Sequence, residues 1–277
     1  VESILGIFNR PEYLFSFLAI FRKVFNWGRH KGEKDVYLRW GLPIKVDTNE
    51  VIGWKIFHAG VFDISVTEAI FRLTCRDDIF IDVGANIGFM ASAALVSGAK
   101  RIIAFEPHPI IFKRLEENIN SWIENNPIVG EIIVSRREAI SDKTGESHLR
   151  IPRGKFLGNH GVSTLEKIST HSIDAYDDII VKTSTLSSVC LQYGQSIGVL
   201  KIDVEGHELS VLRGGKNMLE HHRIRDIIFE NNDGFKSDVA EFLRSFGYVV
   251  FGLNQTPFGP ILLEDDAQKL LLFYHAN

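Results

Sequence analysis

The sequence predicts an α/β fold built on a mostly parallel sheet, with an antiparallel hairpin closing one edge. Three observations predict it. Ile79-Phe80-Ile81-Asp82-Val83 is a near-continuous apolar run, as in a parallel strand covered on both faces, and it passes through Gly84 and Gly88 into the helix formers of residues 90–95. From there strand-like and helix-like segments alternate, as βαβ units require. Residues 248–253 and 270–275 read as strands with no helix between them long enough for a crossover, which leaves an antiparallel pairing.

Composition narrows the class. With 277 residues, 45% of them hydrophobic and 24% charged, the chain has ample material for a globular core. A net charge of −4 supplies no field that favours nucleic acid, so nucleic acid is not expected as a partner. The two cysteines, Cys75 and Cys190, are too few for a disulfide framework or a zinc site and fit a reducing, cytoplasmic setting. No apolar run approaches the roughly 18 residues that span a bilayer.

Residues 1–64 differ from the remainder and read as a helical and short-strand extension. A helix is expected over 12–25, with Pro11 suited to its first position. Its wide apolar face fits a lid or an oligomer contact packed on the rest of the chain; the alternative is peripheral contact with a membrane surface. Residues 27–34 form a short basic link. Residues 36–40 and 44–47 alternate like strands about Gly41-Leu42-Pro43. The main domain, 65–277, opens on a helix over 65–73, where Ser65 and Glu68 have the spacing of a capping box. Strands follow at 101–106, 131–135, 196–203 and 225–230, with helices at 110–122, 208–219 and 238–246. Residues 142–176, rich in Gly, Ser, Thr and His, read as an insertion.

The glycine turn selects the ligand. A dinucleotide turn needs G-x-G-x-x-G, whose second glycine lets the backbone approach a pyrophosphate. Here Asn86 occupies that place between Gly84 and Gly88, and its Cβ hinders the approach. S-adenosylmethionine carries no phosphate and is content with D-x-G-x-x-x-G. Backbone groups of the turn then face its carboxylate end, and Asp82 meets its ammonium directly or through water. Glu106 lies 22 residues after Gly84 (106 − 84), at a strand end beside Pro107, where a carboxylate accepts both ribose hydroxyls. The plainer account makes it a cap of the next helix. Glu138, past the third strand, is placed for the adenine amino group, or else pairs with Arg136 or Arg137. Glu68 is counted with these cofactor-side acids, although the capping box already explains it.

On the fourth strand Lys201, Asp203 and Glu205 alternate and share a face. Methyl transfer to a hydroxyl requires aligned reactants and removal of a proton. Asp203 is the first candidate for positioning or base, followed by Glu205, His207 and Glu230. The plainer readings are a helix cap for Asp203 and a favourable helix-dipole position for Glu205. Asp203, Glu205, His207 and Glu230 also read as a Mg²⁺ or Ca²⁺ site, since hard cations take oxygen ligands, but their spacing matches no recognised ligand motif and no metal is expected. Residues 155–164, including His160, read as an acceptor lid.

Ile81-Asp82-Val83-Gly84-Ala85-Asn86-Ile87-Gly88, Ala104-Phe105-Glu106-Pro107 and Leu200-Lys201-Ile202-Asp203-Val204-Glu205-Gly206-His207-Glu208 together resemble the FkbM-type family of S-adenosylmethionine-dependent methyltransferases. Phe229-Glu230-Asn231 fits the same pattern. The resemblance implies a class I, Rossmann-like methyltransferase fold with a seven-stranded sheet. It also implies O-methylation of a hydroxyl on a glycan or natural product, hence a small-molecule or saccharide acceptor. Leu186-Ser187-Ser188 departs from relatives that carry an aspartate after the leucine. The competing readings are an NAD(P)-dependent oxidoreductase, which Asn86 opposes, and a non-catalytic binding protein that keeps the fold.

Overall fold

The computed structural model describes residues 31–152, 164–165, 176–193, 196–231, 234–256, 259–263 and 270–275. The expected helix at 12–25, the link up to residue 30, and the loop from 155 to 163 with His160 lie outside the described residues.

Strands β1 (Glu33–Tyr37) and β2 (Pro43–Asp47) form an antiparallel ribbon, and alternation along β2 turns Ile44 and Val46 into the core. Helix α1 (Val51–Ala59) is an element that the sequence reading leaves unassigned. Gly53 permits its close approach to β2, because a Cβ there would stand 2.1 Å from the carbonyl oxygen of Asp47. Helix α2 (Ile64–Leu73) is capped by Asp63, whose carboxylate accepts a hydrogen bond from Val66 N at 3.1 Å. The expected box of Ser65 and Glu68 therefore does not form. Ser65 already lies inside the first turn, and Glu68 accepts from Arg72 one turn on at 2.8 Å.

The remaining strands in chain order are β3 (Ile79–Val83), β4 (Arg101–Phe105), β5 (Ile133–Arg136), β6 (Ala139–Ile140), β7 (Gly145–Pro152), β8 (Tyr176–Ser184), β9 (Ile197–Ile202), β10 (Ile224–Asn231), β11 (Phe251–Thr256), β12 (Gly259–Leu263) and β13 (Leu270–His275). The remaining helices are α3 (Phe89–Ser97), α4 (Pro109–Asn125), α5 (Leu186–Tyr193), α6 (Glu208–Gly214), α7 (Lys216–Glu220) and α8 (Asp238–Ser245), besides a helical turn at Val129–Ile132. That turn delays the start of β5 from residue 131 to 133.

Eight strands form one sheet in the order β12-β11-β13-β10-β9-β3-β4-β5, and its five strands from β10 to β5 are parallel. The count exceeds the expected seven; the two C-terminal segments pair antiparallel as expected, Phe251 with Phe273 and Leu253 with Leu271, but an unexpected strand lies between them in the chain. Strand β11 turns into β12, and β13 lies between β11 and β10, antiparallel to both. Part of the 142–176 segment, β7, joins the flanking strands β6 and β8 in a separate three-stranded sheet, β6-β8-β7.

Strand alternation divides the core between the faces of the main sheet. Ile102 and Ala104 join one cluster with residues of α1 to α4, whereas Ile103 and Phe105 join the other with residues of α5 to α8. The ribbon belongs to the first cluster. Trp122 Nε1 on α4 donates to the carbonyl of Pro43 at 2.6 Å, and Asn118 Oδ1 accepts from Lys45 N at 2.7 Å. Among the described residues no helix is long and apolar enough to cross a membrane.

Candidate active site

Because β4, β3, β9 and β10 are parallel neighbours, their carboxyl ends converge. Val83 pairs with Phe105 and Ile202, and Ile202 pairs with Phe229, so Gly84, Glu106, Asp203 and Glu230 each stand one residue beyond a paired position. This is the edge at which open α/β sheets bind ligands.

The turn after β3 is packed against β9. Gly84 has φ 78, and a Cβ on it would lie 1.9 Å from the carbonyl oxygen of Asp203. Asn86 takes φ 51, a region asparagine tolerates better than most residues, and its Oδ1 accepts from Ile87 N at 2.8 Å. Gly88 has φ 90 and opens α3. Glu106 ties this turn to the next: Oε2 accepts from Asn86 N at 3.0 Å and Oε1 from His108 N at 2.9 Å. Burial pushes the Glu106 carboxyl up to about 7 despite those two amide donors. Pro107 links it to His108, the N-cap of α4.

Beneath the turn lies an internal cation. Lys201 Nζ is 3.1 Å from Asp82 Oδ1, donates to the carbonyl of Gly84 at 2.8 Å, and is 3.5 Å from Asp203 Oδ2. Burial works against the ammonium, but Asp82 and Asp203 outweigh it and hold its pKa above the ordinary lysine value. Asp82 is completely buried in this pair. The carboxylate expected to meet a ligand's ammonium therefore faces an internal ammonium already.

Three of the four expected catalytic residues come together. One carboxylate oxygen from each of Asp203, Glu205 and Glu230 lies within 4.8 Å of the others, a spacing that hard cations also accept. Glu230 hydrogen-bonds Asp203, and its carboxyl is pushed up to about 7 by burial first and then by Asp203 and Glu205. Glu205 is raised to about 6, again by burial first and then by Asp203 and Glu208. Its backbone sits at φ 53, and Glu208 steadies the loop by accepting from Val204 N and Gly206 N at 3.3 and 3.1 Å. The hydroxyl of Thr164 donates to the carbonyl of Glu205 at 2.9 Å, so the described tip of the insertion reaches this loop.

The other expected residues do not join this carboxylate cluster. His207 Nε2 is 2.9 Å from Ser141 Oγ, so its ring meets the end of β6 and not the carboxylates. Glu138 accepts from Arg136 Nε at 2.8 Å and from Ser184 Oγ at 2.6 Å, which is the ion-pair alternative with Arg136 as partner. Glu68 makes its ion pair with Arg72 on the outer turn of α2.

Asp63 was missed. It caps α2 at φ 42 and lies within electrostatic reach of Asp203 and Lys201, and burial raises its carboxyl above the ordinary range. The signal was present: an aspartate three residues before the amide it caps. The Ser65-x-x-Glu68 pattern two residues on competed with it and is the more conspicuous.

A family model described as the methyltransferase FkbM domain matches residues 82–250. The hexuronic acid methyltransferase AglP of Haloferax volcanii is 31% identical over 169 residues, 61% of this chain and 62% of that protein. The 31-O-demethyl-FK506 methyltransferase FkbM of Streptomyces tacrolimicus is 31% identical over 191 residues, 62% of this chain and 73% of that protein. The crystal structure of a methyltransferase FkbM from Methylobacillus flagellatus KT superposes with a TM-score of 0.47 at 16% identity, covering 73% of this chain and 44% of that one. The match takes in the glycine turn, the acid that ends β4, and the carboxylates at the ends of β9 and β10, and the chain belongs to the FkbM-domain family of methyltransferases.

Proposed function

We propose that the protein is an S-adenosylmethionine-dependent O-methyltransferase acting on a hydroxyl of a small-molecule or saccharide acceptor. The observation that carries this reading is the charge of the sheet edge. Glu106, Asp203, Glu205 and Glu230 gather around a turn whose middle residue, Asn86, bears a Cβ. A pyrophosphate placed there would meet carboxylates at close range, whereas a cofactor with a sulfonium, an ammonium and two ribose hydroxyls matches them. The name of one relative, 31-O-demethyl-FK506 methyltransferase, points to an oxygen acceptor.

That cofactor, when bound, supplies a methyl group activated on a positively charged sulfur. Glu106 would accept its ribose hydroxyls with the lone pairs left by Asn86 N and His108 N. The turn from Gly84 to Gly88 would lie along its amino-acid end, and Glu138, fixed by Arg136 and Ser184, on its adenine side. The Asp203–Glu230 pair would orient the acceptor hydroxyl and take its proton on a carboxylate oxygen.

Calorimetry with S-adenosylmethionine and S-adenosylhomocysteine, followed by transfer of labelled methyl to a panel of saccharides and polyols, tests the reading. Glu106→Ala is expected to weaken binding of both ligands by about 1.5–3 kcal/mol, the value of a hydrogen bond to a charged group. Folded protein that binds neither ligand, or that prefers a nicotinamide dinucleotide, would sink it.

A further inference from the structure

Resting on the cofactor reading above, we propose that Asp63, on the link between α1 and α2, is the carboxylate that meets the α-ammonium of the cofactor, in place of Asp82. The amino-acid end of that cofactor carries both a carboxylate and an ammonium. The opening turn of α3 suits the carboxylate, since its first amides have no helical partners. The ammonium needs an acceptor nearby. Asp82 is completely buried, and Lys201 already lies against it at 3.1 Å. Its charge is thus already matched by an internal cation, which leaves less of it for a ligand's ammonium.

Asp63 is half-buried and is held at the right end of the right helix. Its neighbour Phe62 packs edge-on against Phe89, the first residue of α3, with ring centroids 6.2 Å apart. Thr67 Oγ1 donates to the carbonyl of Phe62 at 2.9 Å and lies 3.9 Å from Met90 Sδ. These contacts clamp the start of α2 onto the start of α3, and Asp63 lies within electrostatic reach of Lys201 and Asp203, which touch the turn at Gly84. Its Oδ1 caps Val66 N, and among the described residues Oδ2 makes no hydrogen bond. The backbone at φ 42 is a conformation that costs an aspartate free energy, and such outliers cluster at ligand sites. Burial further favours a partner of opposite charge for this carboxylate.

The test is Asp63→Asn, because asparagine caps a helix as well as aspartate and tolerates the left-handed region, so the variant removes the charge and little else. Calorimetry compares three ligands: S-adenosylhomocysteine, its analogue lacking the amino group, and 5′-methylthioadenosine, which lacks the whole amino-acid tail. The variant is expected to lose roughly ten- to a hundredfold in affinity for S-adenosylhomocysteine. Its affinity for 5′-methylthioadenosine should stay within about twofold of the parent, and loss of the amino group should cost the parent much more than the variant. Unchanged binding of S-adenosylhomocysteine, or an equal loss on all three ligands, overturns the assignment. Parent protein that binds none of the three overturns the cofactor reading itself, which is a different result. Thermal melting of the variant near the parent confirms that a loss is local.

Discussion

At the scale of the residue, the site is a matter of which carboxylates hold protons. Glu230 shares a hydrogen bond with Asp203, and its carboxyl lies at about 7 because burial, Asp203 and Glu205 all oppose its ionisation. A base must be unprotonated to accept the hydroxyl proton, so the active fraction grows as pH rises through that value. The expected kcat/KM profile climbs about tenfold per unit below neutrality and levels above it. Glu230→Gln should lower the plateau by about a hundredfold or more and abolish the climb. A rate that stays flat from pH 5.5 to 8 in the parent, or full activity in the variant, would remove Glu230 from proton transfer. Part of this cluster was legible in the sequence: the strand-end positions of Glu106 and Glu230 follow from apolar runs that stop at an acid. The expected strand face shared by Asp203 and Glu205 does not form, because β9 ends at Ile202 and Glu205 turns at φ 53; the loop, not the pleat, brings the two together. Asp82 and His207 were legible as to place but not as to partner. Their neighbours, Lys201 and Ser141, are set by strand register and loop packing that no local pattern encodes.

At the scale of the element, α4 does more than cover the sheet. Asn118 stands in the middle of it with almost no exposed surface; its Oδ1 accepts from Lys45 N at 2.7 Å and its Nδ2 donates to the carbonyl of Ile87 at 2.8 Å. One amide thus joins the β1–β2 ribbon to the Gly84–Gly88 turn. Asn118→Ala leaves the amide of Lys45 and the carbonyl of Ile87 without that partner, a loss of about 1–3 kcal/mol that urea unfolding should read as a lowered midpoint with unchanged slope. Binding of S-adenosylhomocysteine should weaken as well, since the turn loses its tether; a variant that is less stable but binds with parental affinity would confine Asn118 to a packing role. The amphipathic period of α4 announced the helix, but Asn118 reads along it as an ordinary polar position. Helix α1 was not legible for a related reason. Gly53 and the short span of the segment weaken its propensity, and its place depends on tertiary contact with Asp47. Strand β12 was hidden in the same way, because Pro260 within it argues against a strand except at a sheet edge, which is where it lies.

At the scale of the whole molecule, the two ends of the sheet divide the work. The carboxyl ends carry the carboxylates of the site, and the amino ends are held by Arg225, whose role had no signature in the sequence. It pairs with Asp78 through Nη1 at 2.8 Å and Nη2 at 2.9 Å, with Asp226 through Nε at 2.9 Å, and donates to the carbonyl of Leu73 at 2.6 Å. Asp78 precedes β3, Asp226 lies in β10 and Leu73 ends α2, so one guanidinium fastens segments separated by about 150 residues of chain, 147 between Arg225 and Asp78. Asp78 in turn accepts from Cys75 N at 2.6 Å, and Gly198 on β9 admits it, since a Cβ there would lie 2.1 Å from its carboxyl carbon. Arg225→Leu keeps the apolar stem but removes the cation that Asp78 and Asp226 share. Breaking a buried pair in this way costs about 3–5 kcal/mol, a large share of the roughly 5–15 kcal/mol that stabilises a domain. Exposure of the guanidinium at 35% places the expected loss toward the lower figure. Urea unfolding should read the loss as a lowered midpoint with an unchanged slope. A midpoint that matches the parent would mean that the network does not hold the amino ends of the strands. Affinity of the folded variant for S-adenosylhomocysteine should match the parent, because the network sits at the opposite end of the strands from Glu106 and Asp203.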